Sequence, residues 1–294
     1  MSTIGFVGLG LMGEGFTRRL IEKGHTVVGF DINAEKTRAA ARWGVQPAAS
    51  AADIARTCDI VLICVINTAA VEDATLGPQG IASVDIAGKV IVDHSTTELD
   101  ATKRIAAALA AKGAHFVDAP VSGGPGAAKA GTLAIMAGGS DAAIATIAPL
   151  MRDLGPMTHM GPVGTGQATK LVNQTLVLTN YCVLGEALRL AQAYGVDAGK
   201  IPQALAPGHA GSNLLAAVFP QMIAEDFAPR GFARQVLKDL EMLQGAAREK
   251  HLAMPMASQA LTLYRLLVAA GHSELDASAV VTLYPKVGGQ RRGP

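Results

Sequence analysis

The sequence predicts a mostly parallel, doubly wound α/β sheet followed by an all-helical region. Three observations carry this expectation. Short apolar runs alternate with helical segments from Thr3 to His159, a glycine-rich turn follows the first run, and strand-like runs stop after Gly164 while helical periodicity continues. At 294 residues the chain exceeds what one hydrophobic core usually serves, so two domains are expected, residues 1–162 and 163–294.

Taken in order, Thr3–Val7 is an apolar run stopped by Gly8, as in a buried strand. From Gly13 to Lys23, Phe16, Leu20 and Ile21 recur at helical spacing and Gly24 supplies the stop. Thr26–Phe30 is a second strand, and Asn33 caps a helix running toward Trp43, so strand, turn, helix and strand complete one βαβ unit. Ser50 with Asp53 forms an N-cap pair for a helix to Arg56, and Asp59–Ile66 (DIVLICVI) is the most strand-like run in the chain. Lys89–Asp93, Ala114–Asp118 and Thr132–Ala137 read as further strands, with helices at Leu99–Lys112 and from Asp141 to about Arg152. Because these strands alternate little between apolar and polar, both faces of the sheet should be covered.

From Thr165 to about Tyr194 no breaker stops a helix, and Gly185 is the lone glycine beyond its first turn. Such a helix is ~45 Å long. Leu171, Val172, Leu176, Val177, Leu178, Val183, Leu184 and Leu188 lie nearly all round it, so it is expected to be a buried pillar. Helices are expected over Lys200–Leu205, Asn213–Ala224, Phe232–Lys250, Pro255–Ala270 and Ala277–Leu283, with Met222, Met242, Met254 and Met256 as core filler.

Composition narrows the function classes. Half the residues are hydrophobic, 17% are charged and the formal net charge is +1, which suits packed cores and gives no surface for nucleic acid or anionic membrane. The run MSTIGFVGLG enters a strand with no basic leader, and no run of 18 uncharged apolar residues suggests a membrane span. Cys58, Cys64 and Cys182 form no CxxC pair or metal-ligand spacing, so reduced thiols in a cytoplasmic protein without a metal site are expected. The only basic cluster at the end of the chain is the short Arg291-Arg292 pair.

Gly8-Leu9-Gly10-Leu11-Met12-Gly13 matches GxGxxG, a weak signal alone. Here it follows a strand, opens a helix, and precedes Asp31, 18 residues beyond Gly13 at the end of the next strand. That is the context of a Rossmann dinucleotide site. Gly8 permits the turn, Gly10 admits the pyrophosphate, Gly13 allows helix and strand to approach, and the amides at Leu11 and Met12 face the phosphates. Asp31 accepts from ribose hydroxyls and repels a 2′-phosphate, so NAD is expected in preference to NADP, with Lys36 and Arg38 nearby to soften the choice. Val65-Ile66-Asn67 ends the next strand, where the nicotinamide-side ribose and phosphate lie. Ser95-Thr96 ends the one after, reaching that ribose, capping the helix near Glu98, or both.

Lys170 is the candidate acid–base residue. It lies in the second turn of the long helix, where the helix dipole and desolvation both disfavour the ammonium. Asn173, three residues on, shares its face. On spacing alone, the ordinary reading is a solvated lysine.

The segment GPVGTGQATKLVNQ (Gly161–Gln174) resembles the catalytic segment of the β-hydroxyacid dehydrogenase family, which includes 3-hydroxyisobutyrate dehydrogenases and tartronate semialdehyde reductases. FVGLGLMG (Phe6–Gly13), DAPVSGG (Asp118–Gly124) and GFARQVLKDL (Gly231–Leu240) agree in order and spacing. The resemblance implies a Rossmann domain, a helical second domain, and a homodimer or homotetramer. It makes Lys170 the catalytic lysine, Asn173 a substrate neighbour, and Ser122, Gly123 and Gly124 the holders of a substrate carboxylate. Phe232 becomes a lining position, and Lys238 with Asp239 a cofactor-side pair. The substrate implied is a small anionic hydroxy acid or semialdehyde acid. The segment at Gly208–Ser212 (GHAGS) is closer to tartronate semialdehyde reductases, and Asn213 adds a polar group. CVIN at Cys64–Asn67 departs from the Leu-Pro pair common there. Alternatives on the same architecture are an imine reductase, which goes with replacement of the lysine retained here, another same-fold reductase such as a sugar-acid-phosphate dehydrogenase, for which Arg230 and Arg234 are too few basic residues, and a non-catalytic NAD-binding module. His94 and His159 read as structural or capping histidines.

Overall fold

Apolar residues on both sides of a strand require cover on both sides, and the first half of the chain folds accordingly. The computed structural model describes residues 2–286; Arg291 and Arg292 lie outside the described residues. Two compact units divide at Leu171 and Val172.

The first unit runs β1 (Thr3–Val7), α1 (Leu11–Glu22), β2 (Thr26–Phe30), α2 (Ala34–Ala41), β3 (Gln46–Pro47), α3 (Ala51–Thr57), β4 (Ile60–Ile63) and α4 (Thr68–Leu76). It continues with β5 (Val90–Asp93), α5 (Leu99–Ala110), β6 (His115–Asp118), β7 (Val121–Ser122), α6 (Gly124–Ala130), β8 (Ala134–Gly138), α7 (Asp141–Leu154), β9 (Met157–Gly161) and the start of α8 (Thr165–Ala193). The strand order is β3-β2-β1-β4-β5-β6-β8-β7, with β9 beside β8. Pairing is parallel from β3 through β6 and antiparallel where β8 meets β6 and β7.

Strand residues of period two split between the faces. Ile4, Phe6, Leu62, Val90, Val92 and Val117 pack with Phe16 and Leu20 of α1 and with Ile147 of α7. Val7, Val61, Ile63, Ile91 and Phe116 pack with Ile54 of α3 and with Ile105 and Leu109 of α5. Each fully buried side chain of this kind contributes roughly 1.5–3 kcal/mol. The register places Val7 beside Ile63, Ile63 beside Asp93 and Asp93 beside Asp118, so four parallel strands end in one line. The order reverses at β1, and a doubly wound sheet opens its ligand crevice at such a reversal.

The expected N-caps form: Asn33 accepts from the Glu35 amide at 2.9 Å, and the Ser50 hydroxyl from that of Asp53 at 3.1 Å. The strand expected to reach Ile66 stops at Ile63. Beyond it the Val65 amide donates to Ser95 Oγ at 2.9 Å, and Asn67 caps α4, a helix that the apolar pattern does not announce.

The second unit contains the rest of α8, α9 (Ile201–Leu205), α10 (Asn213–Ala224), α11 (Ala233–Glu249), α12 (Pro255–Ala269) and a 3-10 helix at Ala277–Leu283. α11 packs on α12, and Val236, Leu240 and Leu243 of the first and Ala260, Leu261 and Leu267 of the second are buried. Gly185 interrupts no hydrogen bonding in α8. A Cβ there would stand 2.7 Å from the Tyr284 ring, so close approach accounts for this glycine. Two expectations need correction. α8 is not buried all round: Val172, Leu176, Val183 and Leu190 are exposed along it, 46–67%. Apolar periodicity locates such residues without saying what covers them. Met256 is also exposed and fills no core, whereas Met222 does. Among the described residues no helix is long and apolar enough to cross a membrane. None of their His, Cys, Asp and Glu side chains gather in a group able to hold a metal ion.

Candidate active site

The aligned strand ends deliver most of the first-unit candidates to one edge of the sheet. β1 runs into Gly8, β4 into Cys64–Asn67, β5 into His94–Thr96, and β6 into Ala119–Gly124.

The glycine turn fits a dinucleotide pyrophosphate on steric grounds. Gly8 has φ +100°, and a Cβ on it would lie 2.2 Å from the Cys64 carbonyl oxygen. A Cβ on Gly13 would lie 2.0 Å from the Gly8 carbonyl oxygen, so only glycine lets α1 meet β1 this closely. At Gly10 the nearest neighbour of an added Cβ is Lys36 Nζ at 3.9 Å, which leaves the approach to the backbone open. Gly10 is also the N-cap of α1 and brings no capping side chain, so the amides at Leu11 and Met12 face outward as anion donors. Asp31 is 8% exposed; its Oδ2 accepts from the Leu9 amide at 2.8 Å and its Oδ1 from that of Asn33 at 2.9 Å. Those bonds tie the carboxylate to the turn while each oxygen keeps acceptor capacity for a ribose hydroxyl. Lys36 Nζ stands 3.9 Å from Asp31 Oδ2 and places positive charge beside the same position.

At the next strand ends the side chains have local duties. Asn67 Oδ1 accepts from the Ala70 amide at 2.8 Å, and Ile66 is 57% exposed. Ser95 does not cap the following helix, since its hydroxyl accepts from Val65 and the N-cap of α5 is Glu98, with no side-chain cap. Thr96, between them, is half-buried. His94 is buried, its Nδ1 donates to the Ala119 carbonyl at 2.7 Å, and its ring stacks on Phe16 at 4.9 Å. Burial holds its pKa down at about 4, partly countered by that carbonyl, so the ring is neutral at physiological pH. His159 Nε2 lies 3.0 Å from the Gly139 carbonyl oxygen and 2.9 Å from that of Gly161. Both histidines therefore take the structural role expected of them.

Lys170 does not point into bulk water. It is 8% exposed, and Nζ donates to the Val121 carbonyl at 2.8 Å, one residue before Ser122. Its charge is also felt at the end of β4. Burial, with the Asp93 carboxylate, pushes the Cys64 thiol up to about 12, while Lys170 pulls it the other way. Ser122 ends the short strand β7, Gly123 is the N-cap of α6 and Gly124 its first residue. Gly123 has φ +129° and Gly124 φ +70°; a Cβ on Gly124 would meet nothing within 4 Å, so there is free space beside the lysine-bearing edge.

In the second unit, Asn173 Nδ2 donates to Gln174 Oε1 at 2.8 Å, and Gln174 Nε2 donates to Asp239 Oδ2. Because a carboxylate only accepts, Asp239 sets the orientation of the Gln174 amide, and through it that of Asn173. Lys238 Nζ stands 2.9 Å from Asp239 Oδ1, an ion pair rather than a well-aligned hydrogen bond. Phe232 is the N-cap of α11, with the Arg234 guanidinium 4.4 Å over its ring. Ser212, in the segment Gly208–Ser212, caps α10 by accepting from Leu215 at 3.0 Å, and Asn213 is exposed. Sequence reading missed Gln174 and Gln167. The available signal was a polar residue on the inward stripe of an otherwise apolar helix.

Residues 3–161 match the NAD binding domain of 6-phosphogluconate dehydrogenase, and residues 164–284 match the NAD-binding domain of NADP-dependent 3-hydroxyisobutyrate dehydrogenase. The chain is 34% identical over 288 residues to 2-(hydroxymethyl)glutarate dehydrogenase of Eubacterium barkeri, covering 97% of this chain and 96% of that protein. It is 34% identical over 279 residues to 2-hydroxy-3-oxopropionate reductase of Escherichia coli K12, covering 95% of each. Its fold matches the crystal structure of 3-hydroxyisobutyrate dehydrogenase from Salmonella typhimurium with a TM-score of 0.87 and 28% identity, over 97% of this chain and 100% of that one. With a dinucleotide turn, an ordered lysine beside a glycine-rich loop, and relatives matched over nearly their whole lengths, the chain belongs to the 3-hydroxyisobutyrate dehydrogenase-like family of NAD(P)-linked oxidoreductases.

Proposed function

We propose that this protein interconverts a small β-hydroxy acid and its semialdehyde acid, with NAD(H) as the redox partner and Lys170 as the general acid–base residue. The observation that carries the reading is the buried Lys170 ammonium held at the Val121 carbonyl, next to Ser122. NAD, when bound, supplies the hydride acceptor or donor. Gly8, Gly10, Leu11, Met12 and Gly13 hold its pyrophosphate and Asp31 its adenosine ribose, while Val65, Ile66, Asn67 and Thr96 border the nicotinamide side. Ser122 with the Gly123 and Gly124 amides cradles the substrate carboxylate; positive φ at both glycines turns those amides out of regular strand geometry. Lys170 takes the hydroxyl proton in oxidation and returns one to the carbonyl oxygen in reduction. The family resemblance assigns Asn173 and Phe232 to the substrate and Lys238 and Asp239 to the cofactor.

The residues around Gly208–Ser212 and a relative named for 2-hydroxy-3-oxopropionate favour tartronate semialdehyde over 3-hydroxyisobutyrate as the substrate type. Asp31 favours NAD, with Lys36 lessening the penalty against a 2′-phosphate. The exposed apolar stripe on α8 supports a homodimer or homotetramer, which light scattering reads directly. Three unpaired cysteines suit the cytoplasm. The deciding experiment follows oxidation of NADH and NADPH side by side against C2–C4 semialdehydes and against aldehydes of the same length that lack the carboxylate. Turnover is expected with carboxylate-bearing substrates and NADH. A protein equally active on aldehydes lacking the carboxylate, or inactive on the whole panel, refutes the proposal.

A further inference from the structure

The first amides of a helix lack intrahelical partners, and a side chain close in sequence normally supplies one. α8 takes its cap from another strand. Asp118, at the end of β6 and fully buried, accepts from the Gly164 amide through Oδ1 at 2.7 Å and from the Gln167 amide through Oδ2 at 2.8 Å. Gln167 is held a second time. Its Oε1 accepts from the Thr97 amide at 3.1 Å, and its Nε2 donates to the Ser95 carbonyl at 2.7 Å.

The contact allows almost no lateral freedom. A Cβ on Gly166 would stand 2.3 Å from the Asp118 carbonyl oxygen and 2.5 Å from that of Met136. One on Gly138 would stand 2.6 Å from Asp118 Oδ1 and 2.8 Å from the Pro162 carbonyl oxygen. Glycine at both positions lets the helix start press onto the ends of β6 and β8. Three residues after Gln167, Lys170 returns to the same segment and donates to Val121, three residues after Asp118. A single stretch, Asp118–Val121, thus grips the helix start with a carboxylate and the ammonium with a carbonyl.

We infer that Asp118 is a positioning residue for the acid–base step: by clasping the first amides of α8, its carboxylate sets where Lys170 presents its ammonium beside Ser122. This rests on the reading of Lys170 given above. The clasp needs the ionised form, because a neutral carboxyl turns an O–H toward one of two amide donors. Burial pushes the Asp118 carboxyl up to about 6, with the Asp93 carboxylate adding to the rise, against the pull of the Gly164, Gln167 and Asp118 amides. The charge acting on it is Asp93 from β5; on the packed elements Lys170 of α8 is held at the Val121 carbonyl, and the stem of Lys103 from α5 lies 3.4 Å from where a Gly164 Cβ would be. The buried side of α7 is Ala143, Ile147, Leu150, Met151 and Leu154, and β8 reads AIMAG, so neither adds charge. Since the folded value lies above the ordinary 3.8, folding favours the neutral form. The group's stabilising contribution is full below that value and lost as pH rises through about 6. The ionised clasp is therefore kept at a cost in stability.

Three readouts test this. Asp118→Asn should lower kcat by ~10-fold or more, the scale of a misplaced catalytic group. KM and the NADH dissociation constant should stay within about twofold of wild type, since no binding contact is removed. The acid limb of kcat near pH 6 should disappear. A variant with wild-type kcat, or one that keeps the acid limb, overturns the proposal. Should Asp118→Asn fail to fold, hydrogen exchange on the wild type decides. Protection of the Gly164 and Gln167 amides, corrected for intrinsic rates, should fall as pH drops through about 6. Equal protection at pH 5 and 8 overturns it. Exchange needs no substrate, so it reads the clasp even where the substrate panel fails, and the two failures stay distinguishable.

Discussion

Each unit buries a carboxylate that gathers backbone amides, and the two are supplied differently. In the second unit Asp276, 2% exposed, accepts from the amides of Arg230, Gly231 and Ser278 at 2.8, 3.0 and 3.0 Å, and from Ser278 Oγ at 2.7 Å. Its donors are the segment leading into α11 and the first turn of the 3-10 helix, so it closes a loop. In the first unit Asp118 has two outside amides, a neighbouring carboxylate at Asp93, and the lysine-bearing helix as its load. A carboxylate with its lone pairs filled acts as a structural tie. One with fewer donors, buried beside like charge, sits close to titration and is coupled to whatever it holds.

The largest effect that sharpens this contrast is at the held group. Lys170→Ala should lower kcat by ~10²–10⁴-fold, with NADH binding and the urea midpoint near wild type. Comparable turnover in variant and wild type would leave the first unit's clasp without a catalytic purpose. Next comes Asp276→Ala, which strands several buried donors and should cost roughly 3–5 kcal/mol in urea denaturation. The folded fraction should keep its kcat. If activity falls while stability holds, the assignment of structural duty to Asp276 is wrong. The smallest effect concerns His94, whose folded pKa of about 4 lies below the ordinary 6.5. Folding favours its neutral form, so its contribution is full above 6.5 and lost as pH falls through about 4, opposite in sign to Asp118. His94→Phe retains a ring against Phe16 and should flatten the rise in stability over that window, by up to roughly 3 kcal/mol. A variant with the wild-type slope would assign the pH dependence elsewhere.

Much of the dinucleotide half was legible because its constraints are local. β1 and β2 appear at their expected bounds, and Asn33 and Ser50 cap the helices they precede. The glycine turn stands out because Gly8 and Gly13 each answer a steric demand from residues a turn or one strand away, while Gly10 leaves the backbone open. The short strands β3 and β7 were not legible, with two residues each. Nor was the antiparallel reversal at β8, which periodicity does not encode. Lys170 and Ser122–Gly124 were singled out through resemblance, whereas spacing alone favoured a solvated lysine.

By itself, the sequence determined the alternation of strands and helices, the dinucleotide turn, the long helix and the change of architecture after Gly164. These follow from periodicity, backbone sterics and capping, all of which act over a few residues. Tertiary structure alone decided that Asp118 caps a helix 46 and 49 residues away, that His94 is buried neutral, that α8 leaves an apolar stripe exposed, and that Lys170 is held at Val121. Those outcomes depend on which strand ends share a line and which surfaces lose water, and neither is a property of any local stretch of chain.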